Sequence, residues 1–329
     1  MSMQKILVAR AIPEPTLRRL KQAFEVESNP EDRVWSKAEL IERLRGKRGA
    51  LTTGSERIDD EVLQGNPQLR VVANMAVGYN NFDIAACTAR GVLATNTPDV
   101  LTETTADFGF ALMMATARRM AESEHFLRRG EWKKWSYDMF TGSDVHGATL
   151  GILGMGRIGQ AIARRGVLGF GMKLIYHNRS RLPAPVEAAL KAQWVDKSSL
   201  LREADHLVLV LPYSAQNHHI IGAAELALMK PTATLTNIAR GGIVDDAALV
   251  QALQERRIAA AGLDVFEGEP ALHAGLLTVP NVVLTPHIAS ASVATRLAMA
   301  DLAADNLIAA LGGQRPPTPI NPEVLRHPH

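Results

Sequence analysis

Residues Thr149–Leu153 (TLGIL) run into Gly154, Met155, Gly156, Arg157, Ile158 and Gly159, and Gln160–Arg165 (QAIARR) then reads as helix. A short apolar run, a G-x-G-x-x-G turn and a helix, in that order, open a β-α-β unit. In such a turn Gly154 permits the tight bend and Gly156 lets a phosphate approach the backbone. Gly159 allows close packing of helix on strand, and the first N–H groups of the helix face an anion. The loop, with Arg157 and Ile158 between its glycines, reads as the pyrophosphate cradle of a dinucleotide-binding sheet.

Working outward, similar β-rich runs follow at Lys173–His177, His206–Leu211, Ala233–Ile238, Ala260–Val265 and Val282–Leu284. With Thr149–Leu153 they make six strands, the number in a dinucleotide-binding sheet. An earlier series stands at Lys5–Ala9, Phe24–Glu27, Gly49–Thr52, Val71–Asn74 and Val92–Thr95. Strands alternating with helical patterns imply parallel sheets covered on both faces. Between the series, Glu103–Met120 places Phe108, Leu112 and Ala115 at helical spacing with few charges, which predicts a long, largely buried helix. A second such helix, Ser292–Leu311, stops at Gly312 and Gly313 before a Pro-rich tail. Both suit bridges between domains.

Composition excludes several classes. The 329 residues suit about two domains; 47% are apolar and 21% charged, so neither a disordered chain nor a coiled coil fits. A net charge of +2 without a run of like charges gives no basis for a nucleic-acid or membrane partner. Cys87 is the one cysteine, which excludes a disulfide scaffold and any Cys-based zinc site. Met1–Ala11 lacks the pattern of an export signal, and a cytoplasmic location is expected. His218 and His219 form a loop pair for which no third ligand stands at suitable spacing, so no metal site is expected.

Asn178 lies 19 residues beyond Gly159, where an NAD-binding domain carries an acid on the ribose 2′-hydroxyl. Here the chain reads Asn178, Arg179, Ser180, Arg181. Two guanidinium groups and a hydroxyl suit a 2′-phosphate by charge and forked geometry, which favours NADP over NAD.

Three further segments end strands at the sheet edge where α/β proteins place ligands: Asn237–Gly241 (NIARG), Gly262–Pro270 (GLDVFEGEP) and Thr285–Ile288 (TPHI). With Ala76–Asp83 (AVGYNNFD), Thr102–Asp107 (TETTAD) and the glycine loop, in this order, the chain resembles the D-isomer-specific 2-hydroxyacid dehydrogenases, most closely their glyoxylate/hydroxypyruvate reductase and 2-ketogluconate reductase branch. The resemblance covers nearly the whole chain. It implies two doubly wound parallel-sheet domains with a cleft between them: a discontinuous flavodoxin-like substrate domain, residues 1–99 and 291–329, and a Rossmann cofactor domain, residues 100–290.

The implied reaction reduces a small 2-keto acid by hydride transfer from NADPH. By resemblance His287 is the general acid, Glu269 holds its ring, and Arg240 forks onto the substrate carboxylate and carbonyl oxygen. Backbone N–H groups around Val77 and Gly78 take the other end of the carboxylate. Asp264 is expected on the nicotinamide carboxamide, with Thr105 beside the same ring, Ile238 in the cofactor site and Pro212 bordering the adenine. Trp132, Trp135, Tyr137 and Phe140 suit a homodimer contact. Two other readings compete: an NAD-dependent relative with another substrate, such as phosphoglycerate or formate dehydrogenase, and a nucleotide-sensing corepressor. The missing acid at Asn178 and the short tail after His287 weigh against both.

Overall fold

The computed structural model describes residues 3–326. These divide into two compact units, one of residues 3–101 and 291–326 and one of residues 102–290.

In the first unit β1 (Lys5–Val8), β2 (Glu25–Ser28), β3 (Gly49–Thr52), β4 (Val71–Asn74) and β5 (Leu93–Thr95) form a parallel sheet in the order β2-β1-β3-β4-β5, the flavodoxin-like arrangement. All four residues of β3 and of β4 are buried, as strands covered on both faces require. Leu7, Leu44, Leu63, Val72, Phe82 and Cys87 belong to one buried apolar core. Burial, with the Asp83 charge, pushes the Cys87 thiol up to about 12. The helix Val293–Leu311, capped by Ser292 Oγ, packs on β3 and β4. It ends at the expected Gly312 and Gly313 pair, and Gly313 adopts φ +74°. Asn321 then fastens the tail to the sheet through Ala94 N (2.8 Å) and Val92 O (3.0 Å).

The second unit holds β6 (Thr149–Leu153), β7 (Lys173–His177), β8 (Ala192–Trp194), β9 (His206–Leu209), β10 (Thr234–Asn237), β11 (Ala260–Leu263) and β12 (Val282–Leu284), all parallel, in the order β12-β11-β10-β9-β6-β7-β8. The sheet therefore has seven strands, not six. The unexpected one, β8, is a three-residue edge strand whose burial shows no alternation, and pairing with β7 alone defines it. One apolar layer, including Leu200, Leu207, Leu235 and Leu263, and a second, including Phe110, Met113, Ile152, Ile162 and Tyr176, supply the core. Each such side chain contributes roughly 1.5–3 kcal/mol on burial.

The helix expected over Glu103–Met120 runs only from Thr102 to Ala117, because Arg119 turns into the left-handed region (φ +53°) and a second helix starts at Met120. The helix after the glycine loop spans Arg157–Arg164 and so begins inside the motif. Among the described residues no helix is long and apolar enough to cross a membrane.

Candidate active site

The glycine loop leaves β6 at the sheet position where the strand order reverses. Gly154 takes φ +102°, and a Cβ there would lie 2.7 Å from Leu211 N. At Gly159 a Cβ would lie 2.4 Å from Gly154 O, whereas at Gly156 it would meet nothing within 4 Å. Two glycines thus close the turn and one leaves its outer side open. Gly156 is the N-cap of the following helix, and no side chain caps that end, the end of a helix that favours an anion. Arg157 is exposed at the first helical position and Ile158 packs inward. Thr105, buried in the first turns of the helix Thr102–Ala117, has a hydroxyl without a hydrogen-bond partner. An open phosphate cradle and an orphaned buried hydroxyl fit a dinucleotide. Ile238 is core, against Ile162 and Phe110, and Pro212 is exposed beyond β9.

After β7, Asn178 Oδ1 accepts from Met155 N (2.7 Å) and so ties the strand end to the glycine loop. Arg179 and Ser180 are exposed. Arg181 carries its own counter-ion: its Nε lies 2.9 and 3.0 Å from the two carboxylate oxygens of Glu187, which also accepts from Tyr176 Oη. The Arg181 guanidinium and the Tyr176 hydroxyl hold the Glu187 carboxyl below its usual range.

The second unit brings Arg240, Glu269 and His287 together. Arg240 follows β10 on a turn held by Asn237, whose Oδ1 accepts from Ala239 N (3.0 Å). Gly241 packs so closely on the next loop that a Cβ would lie 1.8 Å from Phe266 O. Burial pushes the Arg240 guanidinium down and the Glu269 charge opposes this; a guanidinium stays protonated regardless. His287 Nδ1 lies 2.8 Å from Glu269 Oε2, and Glu269 Oε1 accepts from Phe266 N (2.8 Å). Burial pushes the Glu269 carboxyl up. The bonds from His287 and Phe266, with the charges of His287 and Arg240, outweigh it and hold the carboxyl below the usual range. An ionised carboxylate only accepts, so Nδ1 carries the proton and Nε2 is left to face a reactant.

Asp264 is fully buried at the end of β11. Its carboxylate accepts from Thr285 Oγ1 (2.8 Å), Ile288 N (2.9 Å) and Ala289 N (2.9 Å). Burial pushes its carboxyl up against these bonds. Asp264 thereby pins the turn carrying His287, whose own φ is +54°, a role the sequence did not disclose.

In the first unit, the loop after β4 has its carbonyls tied from behind. Thr97 N donates to Ala76 O (2.9 Å), Asn96 Nδ2 to Val77 O (2.8 Å) and Asn74 Nδ2 to Gly78 O (3.0 Å). The N–H groups of Val77 and Gly78 find no acceptor among the described residues. Sequence reading reached the Asn74–Ala76 loop but not Asn96; an amide directly after each strand was the available signal. The aromatic stretch is not core: Trp132, Trp135 and Tyr137 are 54%, 75% and 83% exposed. Phe140 instead packs edge-on against Phe126 under the Arg119 guanidinium. His218 and His219 do have a third group beside them, Glu267, 48 residues beyond His219.

The model of the D-isomer specific 2-hydroxyacid dehydrogenase NAD binding domain matches residues 110–289. The chain belongs to this family. Its oxidoreductases bind a nicotinamide cofactor on the domain matched. A glyoxylate reductase of Thermococcus gammatolerans is 50% identical over 326 residues, covering 98% of this chain and 97% of that one. One from Pyrococcus horikoshii is 48% identical over 326 residues, with the same coverage. Among solved structures, an NADPH-dependent glyoxylate/hydroxypyruvate reductase of Sinorhizobium meliloti, in complex with NADP and malonate, is similar at TM-score 0.86 and 38% identity, covering 97% of each chain. A protein from Thermus thermophilus is similar at TM-score 0.89 and 41% identity, covering 96% of this chain and 100% of that one.

Proposed function

We propose that this protein is a cytoplasmic, homodimeric reductase that converts glyoxylate, and by the same chemistry hydroxypyruvate or 2-ketogluconate, to the D-2-hydroxy acid with NADPH preferred over NADH. The observation that carries the reading is the 2.8 Å bond of His287 Nδ1 to an anionic Glu269, with Arg240 charged beside it.

Gly154–Gly159 and Thr105 would hold the dinucleotide, Asp264 and Ile238 would border its nicotinamide half, and Pro212 its adenine. When bound, the reduced nicotinamide supplies the hydride. His287, its ring held through Nδ1 by Glu269, gives an Nε2 proton to the developing alkoxide. Arg240 forks onto the substrate carboxylate and carbonyl oxygen, fixing orientation and opposing the negative charge that builds on that oxygen. Val77 and Gly78 present N–H groups to the carboxylate. Arg179 and Ser180, with no acid at Asn178, support the NADP preference, while Arg181 is paired with Glu187. The exposed Trp132, Trp135 and Tyr137 support the dimer, since an apolar patch of this kind marks an interaction surface.

His287→Ala tests the reading. Keto acid reduction falls about a hundredfold or more, the usual contribution of a general acid, while NADPH binding persists. Near-parental turnover would remove His287 from the role.

A further inference from the structure

Beyond the reductase chemistry, we propose that His218, His219 and Glu267 form a binding site for a zinc-class divalent cation. His219 Nε2 lies 2.9 Å from Glu267 Oε2, and His218 Nε2 lies 3.9 Å from Glu267 Oε1. One ligand atom from each residue falls within 4.8 Å of the others. With metal bonds of about 2.0–2.2 Å to histidine nitrogen and carboxylate oxygen, the ligand atoms of a tetrahedral site stand about 3.4 Å apart. The two distances straddle that spacing, so small rotations of these side chains bring all three atoms onto one ion and leave a fourth position to water.

Each ring has a polar group behind it: Tyr213 Oη is 3.3 Å from His218 Nδ1, and the Asp245 carboxylate stands 3.8 Å from His219 Nδ1. Partners on that side orient metal-binding imidazoles. The backbone presents the pair as a unit: His219 takes φ +51° and donates its N–H to Gly242 O (2.7 Å), which brings its ring face to face with that of His218 at 3.8 Å. An ordinary ion pair between His219 and Glu267 gives no account of the second imidazole turned toward the same carboxylate. A bound cation joins the segment after β9 to the loop that carries Glu269, two residues on from Glu267.

The test uses the full chain, stripped with a chelator and titrated with Zn²⁺ alone against a chromophoric competitor. Thermal unfolding is followed in parallel, because a ligand held by the folded state raises Tm. The expected result is one zinc per chain and a raised Tm, both lost in His218→Ala and in Glu267→Gln and both retained in His287→Ala. Both altered residues are surface-lying, and the apo Tm of each variant shows that it folds. Three results overturn the proposal: no zinc taken from the competitor, zinc retained by both site variants, or zinc lost only in His287→Ala, which assigns the ion to the His287 and Glu269 pair.

Discussion

Glu269→Gln isolates the charge on which the proton transfer rests. Glutamine keeps the shape of the side chain and an oxygen for Phe266 N–H, but removes the negative charge 2.8 Å from His287 Nδ1. Two unit charges about 4 Å apart interact by about 1 kcal/mol in water and about 4 kcal/mol at an effective dielectric of about 20. With the imidazole 47% and the carboxylate 32% exposed, solvent screening brings the loss to about 2 kcal/mol. Spent on the proton-transfer transition state, that loss is about 30-fold in kcat. Initial rates of NADPH oxidation with saturating keto acid read this directly, with NADPH binding unchanged. Near-parental kcat in Glu269→Gln would remove the carboxylate charge from the mechanism.

Two further substitutions separate cofactor from substrate. Arg179→Ala removes a charge-assisted contact of about 1.5–3 kcal/mol, so KM for NADPH rises about 10- to 100-fold while KM for NADH holds; parallel changes in both would refute the 2′-phosphate role. Asn96→Ala leaves Val77 O without its donor, at a cost of about 1–3 kcal/mol in the loop proposed to hold the substrate carboxylate. KM for the keto acid then rises about tenfold with kcat and the NADPH KM little changed, and a KM at the parental value would show that Asn96 does not hold that loop.

What could be read from the sequence is what local chemistry dictates. The apolar runs located eleven of the twelve strands, and the glycine loop located the cradle. The ends of those runs were less legible. The runs expected at His206–Leu211, Ala233–Ile238 and Ala260–Val265 leave the ladder at Leu209, Asn237 and Leu263. Beyond these points side chains take over the backbone's bonds, as when Asn237 holds Ala239 and Asp264 holds Ile288. β8 escaped because Ala192, Gln193 and Trp194 show no alternation, and its pairing is a property of the neighbouring strand. The pairing of Arg181 with Glu187 and the meeting of Glu267 with His218 and His219 depend on loops that fold back, which spacing along the chain does not encode. Arg240, Glu269 and His287 stand on segments that follow strand ends, which spacing shows, whereas the roles proposed for them rest on the family resemblance.

The most direct test of the account is a set of initial rates with glyoxylate, hydroxypyruvate and 2-ketogluconate, each offered with NADPH and with NADH near neutral pH. The account predicts rapid oxidation of NADPH with at least one of the three and slower oxidation of NADH. No turnover with either cofactor, in a protein that demonstrably binds NADPH, would contradict it.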